Sequence, residues 1–573
     1  MLTENYPALS PRKAVGITKG PGETTHEYTF VTRDEEQQLK NGEYVYYELS
    51  SAELAEQNGN SSSRRVLGRI LKRLPLKLYP DTFLAEPEII PSQVASLVGY
   101  DDRANDLFEM HVSIMGYYDA PTGSFINPWI SPQSGKQIFL ADDQMLADIL
   151  SRKRDRQPGS ATIGSLLTRA PGAVPVVLSV KDVVSTHMAI IASTGAGKSY
   201  LASVVIEELM QPHNKACILI VDPHGEYSTL EQIANFSQFS SEGNGHGSGY
   251  RAQVRTYKPE QVKVRISSLN MGDMRQLLTE MTEKQQYLLG RALRKVNESA
   301  KGSIWGVAAL KKAIRDVAKQ KNDDDDGGDD STTIRALEWR IEQRFEHSFT
   351  FDDTQHLDLP EIFKPGQCTV LQLNEIDERD QQVIVATLLR RLYKARMDTE
   401  RGKVHSGEFY LPYPVFVLME EAHHFAPGGA EVVSTAILKQ VLAEGRKFGI
   451  GVGLISQRPG KLDADVLSQC QTQCIMRIVN EIDQKSVAAA IEGVGRDLLD
   501  NLPALSKGQV IVAGAAVNTP VICRVRSRIT EHGGESKDAP DMWQQYFSEE
   551  DLESRKRSEA PLSSNNRGFN LLK

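Results

Sequence analysis

The sequence predicts a doubly wound α/β core that follows a small antiparallel β-domain and is interrupted by an α-helical insertion. Three observations predict this class. Apolar runs long enough to be strands buried on both faces recur between helical stretches: HMAIIAS, ACILIVD, CTVLQLN, PVFVLME, IGVGLIS and QCIMRIV. A glycine-bearing STGAGKS joins the first of these runs to the amphipathic YLASVVIEELM. Ahead of them, the runs AVGITKG, HEYTFVT and EYVYYELS are too short for amphipathic helices and are separated by Gly, Pro, Asn and Asp.

Residues 1–155 read as an N-terminal β-barrel or sandwich with its linker, because short strands at this spacing close most readily into such domains. The linker is SRKRDRQPGS, Ser151 to Ser160, charged and then Pro-Gly. Residues 156–235 carry the first part of the core, including the phosphate loop. Residues 236–360 read as the helical insertion, from MRQLLTEMTEKQQYLLGRALRKV and IRALEWRIEQRF, with no strand run of comparable strength. These helices flank KNDDDDGGDDS, Lys321 to Ser331, an acidic solvated loop rather than a cation site with fixed ligands. Residues 361–530 return to the core and close it with the hairpin-like pair GQVIVAG and TPVICRV. Residues 531–573 form a polar C-terminal extension.

Composition bounds the function. The chain has 573 residues with 66 Lys+Arg against 75 Asp+Glu, a formal net charge of −9. Such a surface repels phosphates at long range, so any nucleic-acid contact is confined to a local basic stripe such as a pore wall. The five cysteines, Cys217, Cys368, Cys470, Cys474 and Cys523, are too few for a disulfide scaffold and point to a reducing cytoplasm. Cys470-x₃-Cys474 lacks the second pair that a zinc site needs. MLTENYPALSPRK has no apolar h-region, which argues against a signal peptide. No apolar run approaches the ~20 residues that span a bilayer, so no membrane partner is expected.

The chemistry concentrates at the strand ends. In Ser193-Thr194-Gly195-Ala196-Gly197-Lys198-Ser199-Tyr200 the two glycines let successive N–H groups face one concave nest at a helix N-terminus. Lys198 then reaches the β- and γ-phosphates of a nucleotide such as ATP, and the Ser199 hydroxyl ligates Mg²⁺. The first glycine of the usual pattern is replaced by Ala192, tolerable if its φ stays negative. PVFVLM ends in Glu420-Glu421, two carboxylates for a magnesium water and for the attacking water. Glu420 is assigned to the metal through water and Glu421 to polarising the nucleophile, and the two roles can be exchanged. Asp222 in DPHGEY either orients a magnesium water near the γ-phosphate or caps a turn. Gln457 in SQRP either reads the γ-phosphate or belongs to a plain turn. Arg446, in AEGRKFG, either complements a helix dipole or reaches the γ-phosphate of a neighbouring subunit. Lys461 is a candidate DNA contact, against the reading of a solvated surface lysine. His187 reads as a hydrogen-bonded structural histidine.

The ordered series HMAIIASTGAGKS, LIVDPHGEY, VLMEEAHHF, AEGRKFGIG, LISQRP and LSQCQTQCIMRI resembles the HerA group of the HerA/FtsK superfamily of hexameric DNA-translocating ATPases. The resemblance runs from Val180 to Arg528 and is weaker over the N-terminus. It implies a RecA-like motor with a small β-barrel domain, forming a homo-hexamer with DNA in its central channel and ATP between subunits. It places Arg446 at the position of the trans-acting arginine. It also implies a partner: a NurA-type nuclease in DNA end resection, or a nuclease or sirtuin-like effector in antiphage defence. A scaffold that assembles and regulates such an effector, with translocation secondary, is the alternative.

Overall fold

In the computed structural model the described residues are 13–531, less 22–24, 35, 37, 50–63, 77–87, 89, 91–106, 120–121, 123, 243–248, 323–330 and 491–494, together with 539, 540 and 543. Chain contacts divide the molecule into Met1–Glu531 and His532–Lys573. The acidic run Asp323–Asp330 and nearly all of the C-terminal extension therefore lie outside the described residues.

The N-terminal strands are β1 (Gly16–Pro21), β2 (Glu27–Thr32), β3 (Tyr44–Leu49), β4 (Arg64–Pro75), β5 (Phe108–Asp119), β6 (Ser124–Ile126) and β7 (Gln137–Leu140). They pair antiparallel in the order β2-β1-β7-β3-β4-β5, and β5 returns to β2, so the sheet is a closed barrel rather than a sandwich. β6 adds to the free side of β5. The run YVYY in β3 is buried on both faces. Val45 and Tyr47 fill the barrel with Phe30, Val112 and Ile138, whereas Tyr44 and Tyr46 face the other way into the core of the following domain. Alternate residues of a strand point to opposite faces, so one strand serves two cores. Arg169 fastens the junction, pairing with Glu43 and Asp143.

A helix, α1 (Asp143–Leu150), capped by the Asp142 carboxylate on the Met145 N–H, leads into the second sheet. Its elements are β8 (Ser160–Leu166), β9 (Pro175–Ser179), α2 (Val180–Thr186), β10 (Met188–Ile191), α3 (Lys198–Leu209) and β11 (Ile218–Asp222). Then come β12 (Gln253–Tyr257), the helices α4 (Met271–Leu277), α5 (Glu283–Ala300), α6 (Val307–Asn322) and α7 (Ser331–Phe345), and β13 (Gln367–Gln372). The chain continues with α8 (Glu378–Glu400), β14 (Val415–Met419), α9 (Val433–Glu444), β15 (Ile450–Ser456), β16 (Thr472–Ile475), β17 (Gln509–Gly514) and β18 (Val521–Val525).

The strand order is β12-β13-β11-β14-β15-β10-β16-β17-β18-β8-β9. β12 to β16 run parallel, and the last four pairings are antiparallel. Both faces of the parallel part are covered. Ala189, Ile191, Leu219, Val221, Val415 and Val417 point into the cluster shared with α8 and the helical segment, while Met188, Ile190, Ile218, Ile220 and Leu418 point toward α3. That double burial is why these strands read as unbroken apolar runs. Close packing sets one glycine: a Cβ on Gly451 would stand 2.5 Å from the Val184 carbonyl oxygen of α2.

The segment from 236 to 360 is not wholly helical. β12 pairs with β13 as the outer parallel strand of the core, and its QVRTY alternates exposed and half-buried residues because only one face is covered. The helical part is α4 to α7. α5 opens on a reciprocal cap in which Thr282 Oγ1 accepts from the Gln285 N–H and Gln285 Oε1 accepts from the Thr282 N–H. It buries Leu289, Ala292, Leu293 and Val296, a stripe at helical spacing.

Candidate nucleotide site

Four adjacent parallel strands, β11, β14, β15 and β10, run in one direction. Their carboxyl ends therefore emerge together, delivering Asp222, Glu420, Gln457 and the glycine loop to one edge of the sheet. Ligands of open α/β sheets bind at this edge.

The loop leaves β10 at Ala192, which is buried and keeps a negative φ, so alanine fits where glycine is usual. The Ser193 N–H donates to the Arg477 carbonyl at 2.9 Å and the Ala196 N–H to the Ser193 carbonyl at 3.1 Å. Gly195 (φ +77°) and Gly197 (φ +106°) adopt left-handed conformations that a side chain resists. Gly197 is the N-cap of α3, which offers its first-turn N–H groups and the positive end of its dipole. Thr194 Oγ1 donates to Gln457 Oε1 at 2.8 Å, joining the loop to the end of β15.

Lys198 Nζ donates to Glu420 Oε1 and lies 3.0 Å from Glu421 Oε1. Burial alone would lower the Lys198 pKa; the two carboxylates outweigh it and raise the ammonium. Glu420 is fully buried, and burial pushes it up to about 7 against the opposing pull of Lys198 and of Tyr227, whose hydroxyl donates to Glu420 Oε2 at 2.7 Å. Both Glu420 oxygens are thus engaged. Glu421 differs. It turns the chain in a left-handed conformation (φ +48°), and its buried Oε2 receives no hydrogen bond. The neighbour of that oxygen is His423 Nδ1 at 3.3 Å, and burial and then His424 lower the His423 pKa to about 4. His423 Nδ1 also lies 3.2 Å from the Ser456 hydroxyl, and when it accepts that proton it has none to give to Oε2.

Asp222 holds its own turn. Its carboxylate accepts the N–H groups of Gly225 (2.8 Å), Glu226 (3.1 Å) and Tyr227 (3.2 Å), and burial raises its pKa against them. That turn delivers two side chains to which sequence reasoning gave no role. Tyr227 reaches Glu420, and Glu226 Oε2 accepts from the Ser199 hydroxyl. Their signal was DPHGEY itself, read only for its aspartate. The Tyr200 hydroxyl accepts the Arg528 N–H at 2.8 Å, tying α3 to the end of the second sheet.

Arg446 lies in the turn Gly445–Phe448 after α9, is exposed, and makes no side-chain hydrogen bond or ion pair among the described residues. Lys461 is exposed in the turn Pro459–Lys461, four residues beyond Gln457. His187 is structural: its Nε2 donates to the Leu442 carbonyl at 2.9 Å, its Nδ1 accepts the Val452 N–H at 3.1 Å, and burial lowers its pKa to about 4. All five cysteines are buried and free, and burial pushes the Cys474 thiol up to about 12. Among the described residues no group of three or more His, Cys, Asp or Glu side chains is placed to hold a metal alone. Magnesium takes oxygen ligands and keeps phosphates and waters among them. The Ser199 hydroxyl, whose proton goes to Glu226, offers its oxygen as one ligand of that kind. No described helix is long and apolar enough to cross a membrane.

The central domain of helicase HerA, as a family, matches residues 161–392. A DNA double-strand break repair helicase HerA of Pyrococcus furiosus is 28% identical over 456 residues, 72% of this chain and 78% of that protein. A probable helicase of Methanocaldococcus jannaschii is 30% identical over 455 residues, 75% of this chain and 81% of that protein. Among solved structures, VirB4 of Thermoanaerobacter pseudethanolicus aligns with a TM-score of 0.46 at 12% identity, over 65% of this chain and 98% of that one. With a phosphate-loop α/β core behind a closed barrel, and with the Pyrococcus and Methanocaldococcus relatives matched along most of its length, the chain belongs to the HerA helicase family.

Proposed function

We propose that this chain is an ATP-hydrolysing DNA translocase that works as a homo-hexamer around DNA, with a partner nuclease or another effector. The observation that carries the ATPase reading is the Glu421 carboxylate: one oxygen on the phosphate-loop lysine, the other buried without a donor. A water that donates to Oε2 gains a base at the place where a γ-phosphate bound to Lys198 would be attacked. Glu420, locked by Lys198 and Tyr227, fixes the lysine. Magnesium, entering with the phosphates and held by Ser199, would neutralise charge on the leaving diphosphate.

Arg446 acts in trans in this reading, since it is exposed and without a partner among the described residues. Gln457 reports loss of the γ-phosphate through Thr194, and the short turn to Lys461 carries the change to a side chain that grips DNA phosphates. The names of the archaeal relatives favour DNA break repair as the setting. A NurA-type nuclease and an antiphage sirtuin-like effector are the partners suggested by the family resemblance.

Two measurements test the reading. ATPase activity should rise with duplex DNA, and the stimulation should fall as salt rises. Arg446→Ala and Glu421→Gln chains, each inactive alone, should recover activity when mixed, because an interface with both wild-type residues forms again. Mixtures as inactive as the separate variants would overturn trans action. An effector that assembles and acts fully with Lys198→Ala chains would leave translocation secondary.

A further inference from the structure

We propose that Glu226 is a magnesium-site residue of this ATPase, acting on the metal through the Ser199 hydroxyl and through metal-bound water. The inference rests on the reading of the site as an ATPase and deepens it.

The argument starts from the turn. Three backbone N–H groups converge on the Asp222 carboxylate, and Gly225 (φ +75°) permits the reversal, so the position of Glu226 is set by main chain rather than by its own side chain. From there its carboxylate accepts the Ser199 hydroxyl proton. A hydroxyl oriented in this way directs its proton to Glu226 and leaves its oxygen lone pairs for a cation. The residue beside it, Tyr227, holds Glu420. One turn therefore supports both the hydroxyl beside the metal and the carboxylate beside the lysine. A carboxylate that orients a metal ligand in this manner typically contributes 10- to 100-fold in metal affinity.

The test is a magnesium titration of the full-length chain with a fluorescent ATP analogue, compared with binding in EDTA. Glu226→Gln should raise the magnesium concentration for half-maximal nucleotide binding by about 10- to 100-fold. Its affinity in EDTA should stay within about twofold, because the glycine loop and Lys198 hold the phosphates without the metal. Ser199→Ala should show the same magnesium-specific loss, and Glu226→Gln in that background should add little, as coupled neighbours do. Glu226→Asp, with its charge retained, should fall between. A Glu226→Gln chain that titrates with magnesium as the wild type does overturns the inference and leaves the ATPase reading standing. An equal loss with and without magnesium overturns it too, because Glu226 then supports the loop and not the metal. Wild-type protein that binds no nucleotide removes both readings.

Discussion

The two ends of α3 each carry a cation between two glutamates, and they differ in what is left over. At the C-terminal end Arg526 meets Glu207 and Glu208. Glu207 also accepts the Ile529 and Thr530 N–H groups and the Thr530 hydroxyl, and Glu208 accepts the Thr162 N–H. Every carboxylate oxygen there has a donor. At the N-terminal end Lys198 meets Glu420 and Glu421, and one oxygen of Glu421 has none. A saturated network can only hold, and here it straps residues 526–530 onto the helix. An unsaturated one can hold and also receive a proton. In the proposed reading this difference separates a clasp from a reaction centre.

The largest effect expected from breaking the comparison is at Glu421. Glu421→Gln keeps the shape and removes the base, so phosphate release under DNA stimulation should fall by about 10²- to 10⁴-fold. Its thermal unfolding should fall by less than the activity does, because Lys198 loses the Glu421 carboxylate but keeps its pair with Glu420. An activity within a fewfold of wild type would show that the open oxygen is not the base.

Arg526→Ala should reverse that pattern. It strands the fully buried Glu207 without its cation, and breaking a buried pair in this way costs about 3–5 kcal/mol. The lower end is expected, because the Arg526 side chain keeps 21% exposure. The urea midpoint reads the loss; an unchanged midpoint would mean that the backbone donors alone hold the strap.

The sequence disclosed one of these clusters and not the other, for a physical reason. Lys198, Glu420 and Glu421 lie where apolar strands end, and a charge closing a buried strand stands out against its neighbours. Glu207 and Arg526 are 319 positions apart and belong to an ordinary helix and an ordinary strand end. Only the fold joins them. The same limit hid Glu226 and Tyr227, because a turn was legible in DPHGEY but the direction of its side chains was not. β12 was missed because an edge strand lacks the apolar run that marks its buried neighbours. The barrel was legible as β-structure, but its closure depends on β5 returning to β2, a pairing that no local signal carries.

The smallest expected effect sharpens the comparison by pH. Burial holds the Glu420 pKa at about 7, above its ordinary 4.5. Between these values the folded chain keeps a proton that the unfolded chain has released, so stability falls as pH rises through this window. The contribution is complete below pH 4.5 and lost above 7, a change of about 3 kcal/mol at most. Glu420→Gln cannot titrate, so unfolding measured from pH 4.5 to 8 should show a flatter slope than the wild type over this window. Tyr227→Phe should do the opposite. Without the hydroxyl that donates to the charged form, the Glu420 pKa rises further and the falling limb extends to higher pH. If both variants reproduce the wild-type slope, Glu420 keeps its charge across the window. Lys198 then holds two ionised carboxylates, as Arg526 does at the far end of the helix, and the open oxygen of Glu421 alone distinguishes the two ends.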